Sequence, residues 1–225
     1  RIHRSANGTE MIDIANPDNN GVSQNNYQRF DIDSKGLIIN NSRQQTSTHL
    51  AGYIEGNPHL NSNASLIINQ VTSNNISQLD GYLEVAGGKA EVIIANPYGI
   101  TCNGCGFINT SRLSLITGTN NYNPRNGNLL FNINNTGELK ITGTGLTATD
   151  TAQLAEIDNL ELISRYHRIY APIHAKQLQI KSGNNSYNYH TKNINSNELK
   201  LRLENLLYTI FLKKYYHTLN KKLLY

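Results

Sequence analysis

The sequence predicts an all-β fold built as a solenoid of stacked parallel coils. Three observations carry that prediction: a turn-rich composition, a series of strands about five residues long, and a spacing near twenty residues between inward apolar pairs. The 225 residues are 38% hydrophobic and 16% charged, lack Trp, and are rich in Asn, Ser, Thr and Gly. That mixture suits short strands joined by turns better than it suits helices. A chain of this length buries a sizeable core as one unit, here one domain with a tail.

Residues 1–35 contain few paired apolar positions. They carry NPDNNGVSQNNYQRFDI (16–32), a turn-rich approach to a strand around Tyr27, Phe30 and Ile32. A solenoid end left bare exposes apolar core and unpaired backbone, so this stretch is the candidate amino-terminal cap. Residues 36–184 hold the recurring strands GLIIN (36–40), SLIIN (65–69), EVIIA (91–95), RLSLI (112–116), LLFNI (129–133), ELKIT (138–142), NLELI (159–163) and KQLQIK (176–181). Leu113 and Leu115, Leu139 and Ile141, Leu160 and Leu162, and Leu178 and Ile180 each place two apolar side chains on one strand face.

Leu115 lies 21 residues after Ile94, Leu162 lies 21 after Ile141, and Ile180 lies 18 after Leu162. Such spacing is too long for tight hairpins and too short for βαβ units, and it suits coils that each contribute one inward pair. The 34 asparagines fit coil corners, where Asn tolerates left-handed backbone and bonds neighbouring peptide groups. A β-sandwich is the alternative that the spacing disfavours. Residues 185–225 change character: a polar linker, then a basic segment with apolar residues at 199, 203, 206 and 210, the pattern of a helix. The longest apolar run, LLYTIFL at 206–212, is far short of the roughly 18 residues of a membrane-spanning helix.

The net charge of +4 sits in that tail, since residues 1–197 carry fourteen basic and fourteen acidic side chains. A neutral body lacks the basic stripe that phosphate contacts need, which argues against nucleic acid as a partner. The first residue is Arg1, and no apolar leader precedes the first strands, so a signal peptide is either removed or missing.

Cys102 and Cys105 are the only cysteines. Structural zinc needs four ligands, and no histidine lies within forty residues of Cys105. Redox catalysis needs a helix amino terminus behind the first thiol, whereas GFINTSRLSLIT follows the pair. The remaining reading is a structural disulfide clipping a surface loop, made in an oxidising compartment. Four of the five prolines follow Asn, at 17, 58, 97 and 124. Generic Asn-Pro turns explain them on physical grounds, although GNPHL (56–60) and ANPYGI (95–100) are set just beyond strands.

Glycoside hydrolysis requires two facing carboxylates. Asp31 with Asp33, and Glu156 with Asp158 and Glu161, are the candidate groups. Both read as solvated, the first on a strand face and the second at a turn. No nucleophile triad, calcium loop or complete phosphate loop accompanies them, so no catalytic residue, metal or cofactor is assigned.

GNPHL, GYLEVAGGKAEVIIANPYGITCNGCGFINTSRLSLITG (81–118), GVSQNNYQRFDI and GLIINNS together resemble the secretion domain of two-partner secretion exoproteins, over roughly residues 11–184. The similarity is strongest to the filamentous-haemagglutinin-like proteins of contact-dependent growth inhibition. The resemblance implies a right-handed parallel β-helix with an amino-terminal cap, exported through the periplasm to the cell surface. It implies recognition by the POTRA domains of a dedicated outer-membrane barrel transporter. It also implies that Asn57, Pro58, His59 and Leu60, with Asn96, Pro97, Tyr98, Gly99 and Ile100, form the secretion motifs, His59 and Tyr98 departing from the usual Asn. The chain is then the export address of a large adhesin or inhibitor toxin and not an enzyme, truncated or frameshifted before its shaft and effector. A β-helix carbohydrate-active enzyme and a free-standing glycan-binding adhesin are the rival readings.

Overall fold

A computed structural model describes residues 1–134, 136–146, 157–183, 185–196 and 201–202. Its spine is a parallel ladder of β3 (Val22–Tyr27), β7 (Leu66–Val71), β10 (Ala90–Ala95), β12 (Thr110–Ile116), β16 (Asn159–Ser164) and β18 (Gln177–Ser182), stacked in that order. Ile94 stands opposite Leu115, Leu115 opposite Leu162, and Leu162 opposite Ile180. Alternation therefore turns both apolar residues of each pair into the same core.

A second sheet runs β1 (Ile2–Arg4), β2 (Glu10–Asp13), β4 (Leu37–Asn41), β9 (Tyr82–Gly87), β11 (Gly99–Ile108), β15 (Glu138–Leu146), β17 (Tyr166–Ile169) and β21 (Leu201–Arg202), with β8 (Ser77–Leu79) also on β11. β11 turns a corner: residues 100–102 pair with β8, and residues 106–108 pair with β9. The two limbs of this sheet and the first ladder wall the same core, in which Ile39, Leu83, Ile100, Phe107 and Ile141 are buried. These stacked parallel ladders are a β-helix.

Coil length varies because extra elements leave the coil and cover its outside. The hairpin β13 (Thr119–Asn123) and β14 (Asn128–Ile133) lies between β12 and β15, so Leu115 meets Leu162 across 47 positions. Ile141 belongs to the second sheet, opposite Cys102 and Ile169, so its spacing to Leu162 is not one coil rise. β14 pairs with β19 (Asn185–Asn188), which pairs with β20 (Ile194–Ser196), forming a four-stranded antiparallel sheet. Leu129, Phe131, Ile133, Tyr187 and Tyr189 of this sheet and its turn cover the outward Ile68, Ile93, Ile116 and Ile163. A smaller hairpin, β5 (Thr46–Thr48) and β6 (Gly52–Ile54), packs Leu50 and Ile54 on the outward Ile38 and Ala86.

Two expectations change. The polar linker expected from residue 185 instead supplies β19 and β20, because Tyr187 and Tyr189 bury their rings on the outer face. The cap expected over residues 1–35 is largely the first rung, since β2 and β3 stack in parallel on β4 and β7, and only β1 closes the end antiparallel. The helical pattern expected in the basic tail lies outside the described residues, apart from β21.

His167 sits beside the inward Leu139, 1% exposed, with Nδ1 2.9 Å from the Ser182 hydroxyl and Nε2 3.2 Å from the Leu162 carbonyl. Burial holds its pKa down to about 4. The unfolded chain takes up a proton near the ordinary imidazole value of about 6.5 while the folded chain does not, so stability is full above that pH and falls as pH drops towards 4. Urea unfolding at pH 7 and pH 4.5 is expected to show this loss, and His167→Gln should remove most of the difference. An unchanged slope in the variant would assign the loss to other groups.

Candidate functional site

Asn57 and Asn96 make one corner device twice. Each follows an outer or ladder strand, β6 or β10, and each side-chain oxygen accepts the amide two residues on, from His59 or Tyr98, at 3.0 Å. Each backbone carbonyl closes a turn, accepting from Leu60 at 3.3 Å and from Gly99 at 3.2 Å. Proline between them fixes the angle that starts the turn.

The side-chain amide protons then reach other segments. Asn57 Nδ2 donates to the Ile14 carbonyl at 2.9 Å and to the Asn40 carbonyl at 3.2 Å. Asn96 Nδ2 donates to the Asn75 carbonyl at 2.8 Å and to Ser77 Oγ at 2.9 Å. With exposures of 1% and 0%, these amides have no water to replace those partners. Leu60 and Ile100 are buried as well, whereas Pro58, His59 and Tyr98 are exposed and Pro97 is buried.

Gly99 has φ +129, and a Cβ there would lie 3.1 Å from the Glu138 carbonyl. Gly137, in the following coil, was not singled out by sequence reasoning, yet a Cβ on it would lie 2.4 Å from the Pro97 carbonyl. Close stacking on the second motif thus needs two glycines in adjacent coils. The partners Asn75 and Ser77 also escaped notice, because nothing in a string of polar residues marks which one receives a bond from 21 positions away.

Cys102 and Cys105 are joined by a disulfide, with Cα atoms 5.3 Å apart. They do not clip a surface loop: both are 0% exposed and belong to the central core. The pair brackets the corner where β11 changes partner, Gly104 taking φ +77 and Asn103 facing outward. One coil on, β15 follows the same corner, with Cys105 opposite Leu146. Each sulfur is bonded to the other, so neither is present as a thiol that could bind zinc in this state.

The carboxylates are held by structural partners. Asp31 accepts the Gln78 amide at 2.8 Å and pairs with Arg29; Asp33 accepts the Lys35 amide at 2.8 Å. Asp158 lies between Lys176 at 2.7 Å and Lys89 at 3.5 Å, and the Lys176 bond leads in drawing its pKa below the usual carboxylate range. Glu156 lies outside the described residues. Glu161 is not at a solvated turn: it is 3% exposed, accepting from Ser114 Oγ at 2.7 Å and Tyr187 OH at 3.1 Å, with Lys192 Nζ at 3.2 Å. Asp31, Asp33, Asp158 and Glu161 thus serve as structural acceptors among the described residues.

This β-helix resembles a solved structure, the filamentous hemagglutinin secretion domain, with a TM-score of 0.73 and 26% identity over 89% of this chain and 66% of that one. The fold is thus one shared with a secretion domain of an exported protein. The chain belongs to the TPS secretion domain family, whose sequence profile matches residues 1–207. Over 197 residues it is 45% identical to the toxin CdiA of Yersinia pestis, covering 87% of this chain and 6% of that protein. Over 186 residues it is 44% identical to a tRNA nuclease CdiA of Yersinia mollaretii, covering 82% of this chain and again 6% of the relative. The chain therefore spans about 6% of the length of these relatives.

Proposed function

We propose that this domain is the export address of a large surface protein, read in the unfolded state by POTRA domains of a dedicated outer-membrane barrel transporter. The observation that carries the reading is the burial of Asn57 and Asn96 within a TPS secretion domain. A transporter that recognises these side chains meets them before the coils close. An extended chain carries unpaired strand edges, which add to a sheet by backbone bonds, with side chains selecting the register. The route runs through the periplasm, and coils stack as the chain emerges at the surface. Burial of each new rung then disfavours return of the chain. Catalysis is not part of this role, and any toxin activity belongs to other parts of a longer protein.

Binding of the full chain to isolated POTRA domains tests the reading. In urea sufficient to unfold it, the chain should bind, and the refolded chain should bind at least about tenfold more weakly. Equal affinity of the two states would overturn recognition before folding. His59→Ala and Tyr98→Ala should leave unfolding midpoints nearly unchanged, each within about 0.5 kcal/mol, because both side chains are exposed. A loss of POTRA binding without loss of stability would assign those two positions to recognition.

A further inference from the structure

The disulfide poses a problem of order. Cys102 and Cys105 are both 0% exposed, inside the central core and beneath a corner formed by consecutive coils. Thiol–disulfide exchange requires an attacking sulfur to approach along the S–S axis of its target, which demands open space at the sulfur. The folded corner offers none. The bond nevertheless joins residues only three apart, so it needs no tertiary structure to bring its ends together.

We propose that Cys102 and Cys105 are oxidised on the unfolded chain, before the coil forms, by exchange with a disulfide oxidant of the compartment crossed during export. This rests on the export reading. One cysteine thiolate attacks the oxidant disulfide, forming a mixed disulfide and releasing one oxidant thiolate. The second cysteine thiolate then displaces the other. The chain loses two protons and two electrons, and the oxidant becomes a dithiol.

Two features of the chain suit this order. A four-residue ring leaves the polypeptide essentially a single thread, whereas a bond across distant coils would make a loop that a narrow channel must pass as two strands. The chain has no other cysteine with which such a loop could form. The closed ring also spans Gly104, at φ +77, at the corner that β11 turns between its two parallel partners. A chain that reaches the surface already oxidised presents a preset corner to the next coil.

The test compares two states of the full chain. Reduced protein is either kept in urea or refolded, then exposed to oxidised glutathione and trapped with a thiol-alkylating reagent. The unfolded dithiol should oxidise about tenfold or more faster than the folded dithiol. A reduced chain that refolds only after oxidation also supports the order. Equal rates with a folded reduced protein would overturn it.

A second arm uses cells that lack the outer-membrane transporter. Chain held in the periplasm should carry Cys102 bonded to Cys105, and free thiols there would contradict the proposal. Surface display undiminished in those cells would instead sink the export reading, while the rates measured on purified protein still decide the order of oxidation and folding.

Discussion

Asn96→Asp is expected to destabilise the domain by about 2–4 kcal/mol at neutral pH, although it changes one atom type and almost no volume. Asn96 donates both of its contacts across the corner, to the Asn75 carbonyl and Ser77 Oγ, from a position with no exposure. A carboxylate has no proton to offer there, and it faces the Asn75 carbonyl as a second acceptor. Ser77 can reverse its hydroxyl, so one contact is recoverable and the other is not. Urea unfolding measures the cost, which should shrink as pH falls and the introduced carboxylate takes up a proton able to donate. Asn57→Asp should behave in the same way, because its two amide contacts go to carbonyls. Near-neutral effects in both variants would show that the Asn-Pro corners are ordinary turns and not locks between segments.

Glu161→Ala should cost a similar amount, about 2–4 kcal/mol, since it removes the buried partner of an ion pair whose Lys192 side chain is 26% exposed and leaves that half-buried charge without its carboxylate. Lys192 takes a left-handed backbone angle of φ 60 and sets Nζ 3.8 Å from the centre of the Tyr189 ring and 3.2 Å from Glu161. Burial draws its pKa down, and Glu161 opposes that shift by favouring the charged form. Tyr189 in turn donates to Glu91 at 2.6 Å across 98 positions, and burial pushes its phenol up. Removing Glu161 also strips an acceptor from Ser114 and Tyr187.

The loss should centre on β19 and β20, which hydrogen exchange can localise. A double variant, Glu161→Met with Lys192→Met, should recover a large part of the single-variant loss, because it removes both charges together. Additive losses would mean that Lys192 and Glu161 do not depend on each other.

Much of the inner half of this fold is legible in the sequence. Leu113 with Leu115, and Leu160 with Leu162, announce their phase because polar residues separate them, and the structure sets them in one core. Their neighbours Ile93, Ile116 and Ile163 point the other way, and runs such as EVIIA signal burial on both faces without saying what covers the second. The answer lies in YNYH, a stretch whose polar letters conceal two tyrosine rings and whose partners on β10 and β12 precede it by many tens of residues. Glu161 was misread for the same reason: its compensating Lys192 arrives from β20's approach, not from its own strand.

The motif corners were legible as turns through Asn-Pro. What those amides bond was not, since Ile14, Asn40, Asn75 and Ser77 reach them only through stacking. The cysteine bond was readable from elimination and short spacing, yet its inward direction was hidden. At a corner the period-two rule lapses, and Gly104 lets β11 rotate both sulfurs into the core.

Export itself is the direct measure of the central claim. The full chain, behind a leader that delivers it to the periplasm, is produced in cells with and without a two-partner secretion transporter, and its appearance outside the cell is followed by protease accessibility and recovery from medium. Transporter-dependent release of folded, disulfide-bonded protein is the predicted result, with Asn96→Asp and Glu161→Ala chains released in a more protease-sensitive form. Equal appearance without the transporter, or retention in the periplasm when a compatible transporter is present, would contradict the assignment of this domain as an export address.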